Sequence, residues 1–193
     1  MQKIFTTGEL PSSFAEKNAE LFPEAPDRCQ LPGCKIPIKM NKHGFYTRCI
    51  ISPEYTGYIH IRRYLCSICG RTISYLPSFA IPYFQYTICY ISTFLSGFFE
   101  SGKSLRQYVF WFKKKNNDFG RRHFRYYITR LFRNRKLIQY YLNLAGQGII
   151  PEEDALNSQM FAKEFLRKAL KLQAHNFSSR FHNLTGKSIL APY

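Results

Sequence analysis

Two pairs of cysteines set the strongest limit on how this chain folds. Cys66-Ser-Ile-Cys69-Gly70 is a C-x-x-C-G turn, and Cys29-Gln-Leu-Pro-Gly-Cys34 is a C-x4-C turn lying 31 residues upstream. Such close spacing lets two thiolates meet one ion, and the glycine allows the backbone to turn its amides toward the sulfurs. The interval between the pairs is long enough for a hairpin. The order expected is therefore knuckle, strands, knuckle, strand: a ribbon in which Cys29, Cys34, Cys66 and Cys69 hold one structural Zn2+. Four thiolates leave no open position for water, so metal-assisted hydrolysis is not implied. Cys49 falls inside a strand and Cys89 on an apolar helix face, and both read as core thiols. His43 and His60 lack a paired spacing. The plainer alternative for all four paired residues is a set of reduced structural cysteines.

The residues between the pairs favour strands. Gly44–Ile51 and Tyr58–Leu65 are rich in β-branched and aromatic side chains, with a Ser-Pro-Glu-Tyr-Thr-Gly loop between them. Arg71-Thr-Ile-Ser-Tyr-Leu reads as a third strand. After Pro82 the period changes. Ile88, Ile91, Leu95 and Phe98 recur at three- and four-residue steps, as one face of a helix does. The fold class expected is α+β: an N-terminal four-cysteine zinc ribbon of three strands, then a mostly α-helical region. The segments expected are an acidic stretch (1–27), the ribbon (28–82), a helix-turn-helix-like region (83–145), and a C-terminal helix and tail (146–193).

Charge separates these segments further. The 193 residues carry a formal net charge of +16. By segment, residues 1–27 hold −3, 28–72 hold +7, 73–102 hold −1, 103–136 hold +11 and 137–193 hold +2. A block as dense as 103–136 repels itself unless something neutralises it, which points to a polyanionic partner. Within it, Ser104-Leu-Arg-Gln107 is a capping box that opens a helix with Leu105, Tyr108, Val109 and Phe112 on one face. Lys113-Lys114-Lys115-Asn-Asn-Asp-Phe-Gly120 reads as a turn, with Asp118 as the cap of a longer helix from Arg121 to Leu142.

That helix is amphipathic in an informative way. At about 100° per residue, Arg121, Arg122, Arg125, Arg130, Arg133 and Lys136 share one half of its circumference. Phe124, Tyr127, Ile128, Leu131, Ile138 and Leu142 share the other, with Arg135 intruding. A short helix, a turn and a longer basic helix are the order of a helix-turn-helix. Arginine suits bidentate contact with phosphate or guanine. The expected partner is therefore double-stranded DNA. Lys113, Lys114, Lys115 and the arginine face engage it, and Arg62, Arg63 and Arg71 of the ribbon extend the footprint. An RNA-binding or ribosome-associated ribbon is one alternative, and a protein-interaction subunit with an acidic partner is another. The many aromatics (14 Tyr, 18 Phe) fall mostly on core faces, which lowers their weight as stacking platforms.

Several classes are disfavoured. The start of the chain turns polar too early for a signal peptide, so the expected location is cytoplasmic. The apolar run from Thr72 to Phe99 is interrupted by Pro77, Pro82 and Gln85, and reads as core rather than as a membrane span. The three aspartates sit in loops or at helix caps, and no convergent acid–base or nucleophile set is visible, so no enzyme activity is expected. Pro151-Glu-Glu-Asp marks a helix start running to about Gln173, followed by a polar, loose tail from His175. Gly186-Lys187-Ser188 is not a phosphate loop, because Phe181 stands where that loop needs glycine.

From Ile61 to Tyr83, the run Ile-Arg-Arg-Tyr-Leu-Cys66-Ser-Ile-Cys69-Gly70-Arg-Thr-Ile-Ser-Tyr-Leu-Pro77-Ser-Phe-Ala-Ile-Pro82-Tyr resembles a bacterial zinc-ribbon family associated with insertion sequences. It is more loosely similar to the N-terminal zinc ribbons of transposases. The resemblance covers about Cys29 to Tyr86, and the C-x4-C first pair departs from its usual C-x-x-C. It implies a mobile-element accessory or DNA-recognition protein, working beside a transposase or another mobile-element protein and without a catalytic domain of its own.

Overall fold

A computed structural model describes residues 1–17, 20–34, 37–113, 120–145, 158–171 and 174–190. The chain forms two compact units, Met1–Thr87 and Ile88–Tyr193.

The first unit is built on a sheet of four strands rather than the three expected. In chain order it contains β1 (Gln2–Phe5), α1 (Pro11–Lys17), β2 (Asn41–Ile51), β3 (Thr56–Leu65) and β4 (Thr72–Pro77), and the sheet order is β1-β4-β3-β2. β2 and β3 are an antiparallel hairpin with Arg48 opposite Ile59 and Cys49 opposite Tyr58. The Ser52 amide donates to the Tyr55 carbonyl at 2.8 Å, and the Tyr55 amide to Ser52 Oγ at 3.0 Å, which closes the turn. β4 returns antiparallel to β3, with Arg63 opposite Ser74.

The extra strand lies inside the acidic segment. β1 runs parallel to β4, with Gln2 opposite Ser74 and Phe5 opposite Pro77. α1 follows with Pro11 in its first turn, where the missing amide costs nothing. It drives Phe14 into a core of Ile4, Ile50, Ile59, Ile61, Leu76 and Phe79. Full burial of a phenylalanine stabilises by about 1.5–3 kcal/mol. Residues 1–17 therefore belong to the sheet domain and do not form a separate acidic arm. Arg48, one of the basic residues of the second charge block, turns inward. Its Nη2 donates to the carbonyls of Ile81 and Phe84 and anchors the loop that follows β4.

The second unit is helical: α2 (Ile88–Ser101), α3 (Leu105–Lys113), α4 (Arg121–Arg133), α5 (Arg135–Leu144), α6 (Ser158–Lys171) and α7 (Ala174–Thr185). α2 is central and packs against α3, α4, α6 and α7. It buries Ile88, Ile91, Phe94, Leu95 and Phe99, close to the stripe read from the sequence. The capping box also forms. Ser104 N donates to Gln107 Oε1 at 3.0 Å, and Gln107 N to Ser104 Oγ at 3.4 Å. Among the described residues no helix is long and apolar enough to cross a membrane. The run from Thr72 to Phe99 is divided between β4, a loop and α2.

Three further expectations are corrected here. The long basic helix is two helices, parted at Asn134. This asparagine is buried, and its Nδ2 donates to the Ile189 carbonyl at 2.5 Å. The bond crosses 55 residues, so the break answers a tertiary contact that local periodicity does not carry. Over its described residues the segment from His175 is not a loose tail but largely a helix. α7 buries Phe177 and Phe181, and Phe177 packs 5.2 Å from the Tyr141 ring. Gly186 ends α7, its amide donating to the His182 carbonyl at 2.8 Å, which gives the Gly-Lys-Ser run a capping role. Cys89 is exposed and is not a core thiol. The helix start expected at Pro151 and the Asp118 cap lie outside the described residues.

One close approach can be tested. A Cβ on Gly97 of α2 would stand 2.3 Å from the hydroxyl of Tyr108 on α3. Tyr108 is buried and donates to the Phe94 carbonyl at 3.3 Å, so it has little room to retreat. Gly97→Ala gains about 1 kcal/mol of helix propensity. Overpacking costs about 1–3 kcal/mol, and loss of the hydroxyl bond about 1 more. We expect Gly97→Ala to lower stability by about 1–3 kcal/mol in urea unfolding. Adding Tyr108→Phe should restore part of the loss, whereas equal stability of the double and single variants would refute the contact.

Candidate metal centre and cationic helix face

The two cysteine turns meet at one end of the sheet. Cys66 closes β3 and Cys69 precedes β4, so the second knuckle is the β3–β4 connection itself. The Gly70 amide donates to the Cys66 carbonyl and the Cys66 amide to the Arg71 carbonyl, both at 3.0 Å. Gly70 has φ of 65°, a left-handed value that glycine adopts without strain. In the first knuckle the Cys34 amide donates to the Leu31 carbonyl at 3.1 Å, and Gly33 has φ of 81°. The four-residue spacing of this pair thus closes through a glycine turn that still brings both sulfurs to one side.

Cys29, Cys34, Cys66 and Cys69 form a cluster whose sulfurs all lie within 4.8 Å of one another. Cys29 Sγ stands 3.9 Å from Cys69 Sγ, and Cys34 Sγ 3.8 Å from Cys66 Sγ. A disulfide needs about 2.05 Å, so the pairs are not bonded. Thiolates arranged tetrahedrally at about 2.3 Å from an ion stand about 3.8 Å apart. The cluster fits a metal ion held by four sulfurs. Leu31, Met40, Tyr64 and Ile73 pack around it. The Tyr64 hydroxyl donates to the Pro23 carbonyl, and Arg71 Nη2 donates to the Pro32 carbonyl at 2.6 Å, tying one knuckle to the other.

The local field favours thiolate on one side of the cluster. The Arg71 amide, aided by its guanidinium and by the thiols of Cys34 and Cys66, draws Cys69 down to about 6 against the effect of burial. The backbone amides of Cys69 and Ile68 hold Cys66 below its ordinary value. Burial pushes Cys29 up.

The basic residues proposed for nucleic acid are distributed unevenly. In α4 and α5, Arg121, Arg122, Arg125, Arg133 and Lys136 are exposed and Arg130 is half-buried. On the opposite side Phe124, Tyr127, Leu131, Ile138, Tyr141 and Leu142 are buried. The break at Asn134 therefore leaves the cationic face on α4, with Lys136 its one exposed addition from α5, and a core face on both helices. α3 packs against α4. Lys114 and Lys115 lie outside the described residues, and Lys113 is the last residue of α3. In the sheet domain Arg62 lies over the Phe45 ring at 3.7 Å. Arg63 is half-buried, and Arg71 remains exposed while clamping the first knuckle.

Some exposed side chains on these helices were not anticipated. Phe110 and Trp111 of α3 are exposed, as is Tyr126 of α4, with the Arg130 guanidinium 5.0 Å from its ring. The signal was available: Phe110 and Trp111 fall outside the apolar face set by Leu105, Tyr108, Val109 and Phe112.

The fold and the cluster define a mixed α+β protein with a buried four-cysteine centre compatible with metal. Over residues 31–107 the chain matches a family described as a domain of unknown function (DUF6431). That span includes Cys34, Cys66 and Cys69 but begins after Cys29. Comparison with curated proteins and with solved structures gave no match.

Proposed function

We propose that this protein is a zinc-containing DNA-binding protein. The observation that carries the reading is the arginine face of α4, extended by Lys136 of α5 and exposed opposite a buried aromatic and aliphatic face. α4 and α5 contain no acidic residue, so their exposed arginines present a surface that a phosphate backbone neutralises, and their planar forks suit phosphate oxygens or guanine edges. In this reading α3 and α4 act as a helix-turn-helix, with α4 entering the major groove. Cys29, Cys34, Cys66 and Cys69 hold one Zn2+, which supplies a structural cross-link between the two knuckles and no open coordination position. The site is a zinc ribbon completed by an extra strand.

The resemblance around Cys66–Pro82 supports an accessory role in a mobile element, as a DNA-recognition protein beside a transposase rather than as an enzyme. The test is competition. Fluorescent duplex DNA bound to the purified zinc-loaded protein should be displaced by unlabelled duplex more readily than by structured RNA of equal length. Selection from a random duplex pool should then enrich a sequence. Stronger displacement by RNA would transfer the reading to an RNA-binding ribbon, and failure to bind either polyanion would remove it.

A further inference from the structure

The exposed face of α3 joins aromatic rings to cations. Phe110 is 67% exposed and Trp111 43%, although α3 also buries Tyr108, Val109 and Phe112. Lys103 Nζ lies 5.6 Å from the Trp111 ring centre, and Arg106 and Gln107 are exposed one turn before the two aromatics. Positions 106, 107, 110 and 111 follow the three- and four-residue steps of one helix face, and Lys103 reaches Trp111 from the residues just before the helix. Both rings keep much of their surface in solvent, Trp111 while packed 5.7 Å from the Tyr108 ring, because the apolar side of the helix is already used in the core.

We infer that this face of α3 stacks the unpaired bases of single-stranded nucleic acid. The inference rests on the nucleic-acid reading above and adds a second mode to it. Every base has a π-face, so one exposed tryptophan and one exposed phenylalanine accept bases without reading their edges. Lys103 and Arg106 flank the rings and meet the phosphates between the bases. The surrounding segment, 103–136, carries +11, which complements a polyphosphate strand. The acidic residues nearest in sequence are Glu100, exposed at the end of α2, and Asp118, which lies outside the described residues. An anionic membrane fits the charge but not the shape. An interfacial helix needs a broad apolar face, and the broad face of α3 is turned into the core.

The chain has a single tryptophan, so Trp111 is its own reporter. Intrinsic fluorescence of the zinc-loaded full-length protein is followed while an oligothymidylate is added. Anisotropy of the labelled oligomer and of a labelled duplex is measured in parallel. Stacking predicts that emission falls as the oligomer binds. Trp111→Ala and Phe110→Ala should each weaken oligothymidylate binding about tenfold, and Trp111→Phe should retain most of it. Duplex binding should survive all three substitutions. Duplex binding with unchanged emission on oligothymidylate, or oligomer binding that Phe110→Ala and Trp111→Ala leave intact, would overturn the inference and spare the DNA reading. Binding of neither nucleic acid would overturn both. A blue shift with phosphatidylserine vesicles but no response to oligothymidylate would replace the strand with a membrane surface.

Discussion

Cys66→Ser should abolish stoichiometric zinc binding and unfold the knuckle end of the sheet domain. The expectation follows from how little else holds that end together. Its core is Leu31, Met40, Tyr64 and Ile73 gathered around the four sulfurs. Cys66 and Cys69 are both drawn toward thiolate, and the whole set lies within 4.8 Å. Two like charges about 4 Å apart repel by about 4 kcal/mol at an effective dielectric of 20. An ion turns that repulsion into attraction. Apparent zinc-binding free energies of about 10–16 kcal/mol in small four-ligand domains show how far such a site can govern folding. Under reducing conditions, metal analysis should find one zinc per wild-type chain and far less in the variant. Chelation should reproduce the variant's loss of β-sheet circular dichroism. Cys49→Ser and Cys89→Ser should leave zinc unchanged, since neither residue belongs to the cluster. A wild-type chain purified without zinc, or a Cys66→Ser variant that keeps it, would remove the metal from the account.

The second large effect lies on α4. Replacing Arg121, Arg122 and Arg125 together with glutamine should weaken duplex DNA binding by about tenfold or more at moderate salt, because each phosphate contact contributes counterion release. The fold should not suffer. All three side chains are exposed, and surface changes of this kind usually alter stability by about 0.5 kcal/mol or less. Arg121 and Arg125 are one turn apart, and like charges at that spacing repel, so the variant should melt no lower than the wild type. A loss of affinity at unchanged melting temperature therefore isolates the cationic face from any effect of unfolding.

Features governed by short-range rules were legible in the sequence. The cysteine spacing anticipated the cluster because a knuckle needs only a few residues and one glycine. The Ser104–Gln107 box and the apolar stripe of α2 follow from helix geometry alone. What escaped depended on distant partners. β1 is four residues long, and its hydrogen-bond partners lie some seventy positions away on β4. Nothing in Gln-Lys-Ile-Phe announces a strand until β4 offers its edge. Asn134 interrupts a periodic run because Ile189 accepts its amide. α7 reads as polar, yet its serines at 178 and 179 are small enough to be buried beside Phe177. Arg48 contributes to the +7 of residues 28–72, and only the structure brings the carbonyls of Ile81 and Phe84 to it. The arginine face of α4 needed no tertiary information, since the spacing of Phe124, Tyr127 and Leu131 sets one face to bury.

The most direct measurement is the affinity of the zinc-loaded protein for duplex DNA as a function of salt, for the wild type and the Arg121/Arg122/Arg125→Gln variant. The account predicts a steep linear fall of log affinity with log salt for the wild type. For the variant the slope should be shallower by about 0.9 for each phosphate contact removed, or roughly 2.7 in all. An affinity that salt does not change, or two slopes that coincide, would contradict it.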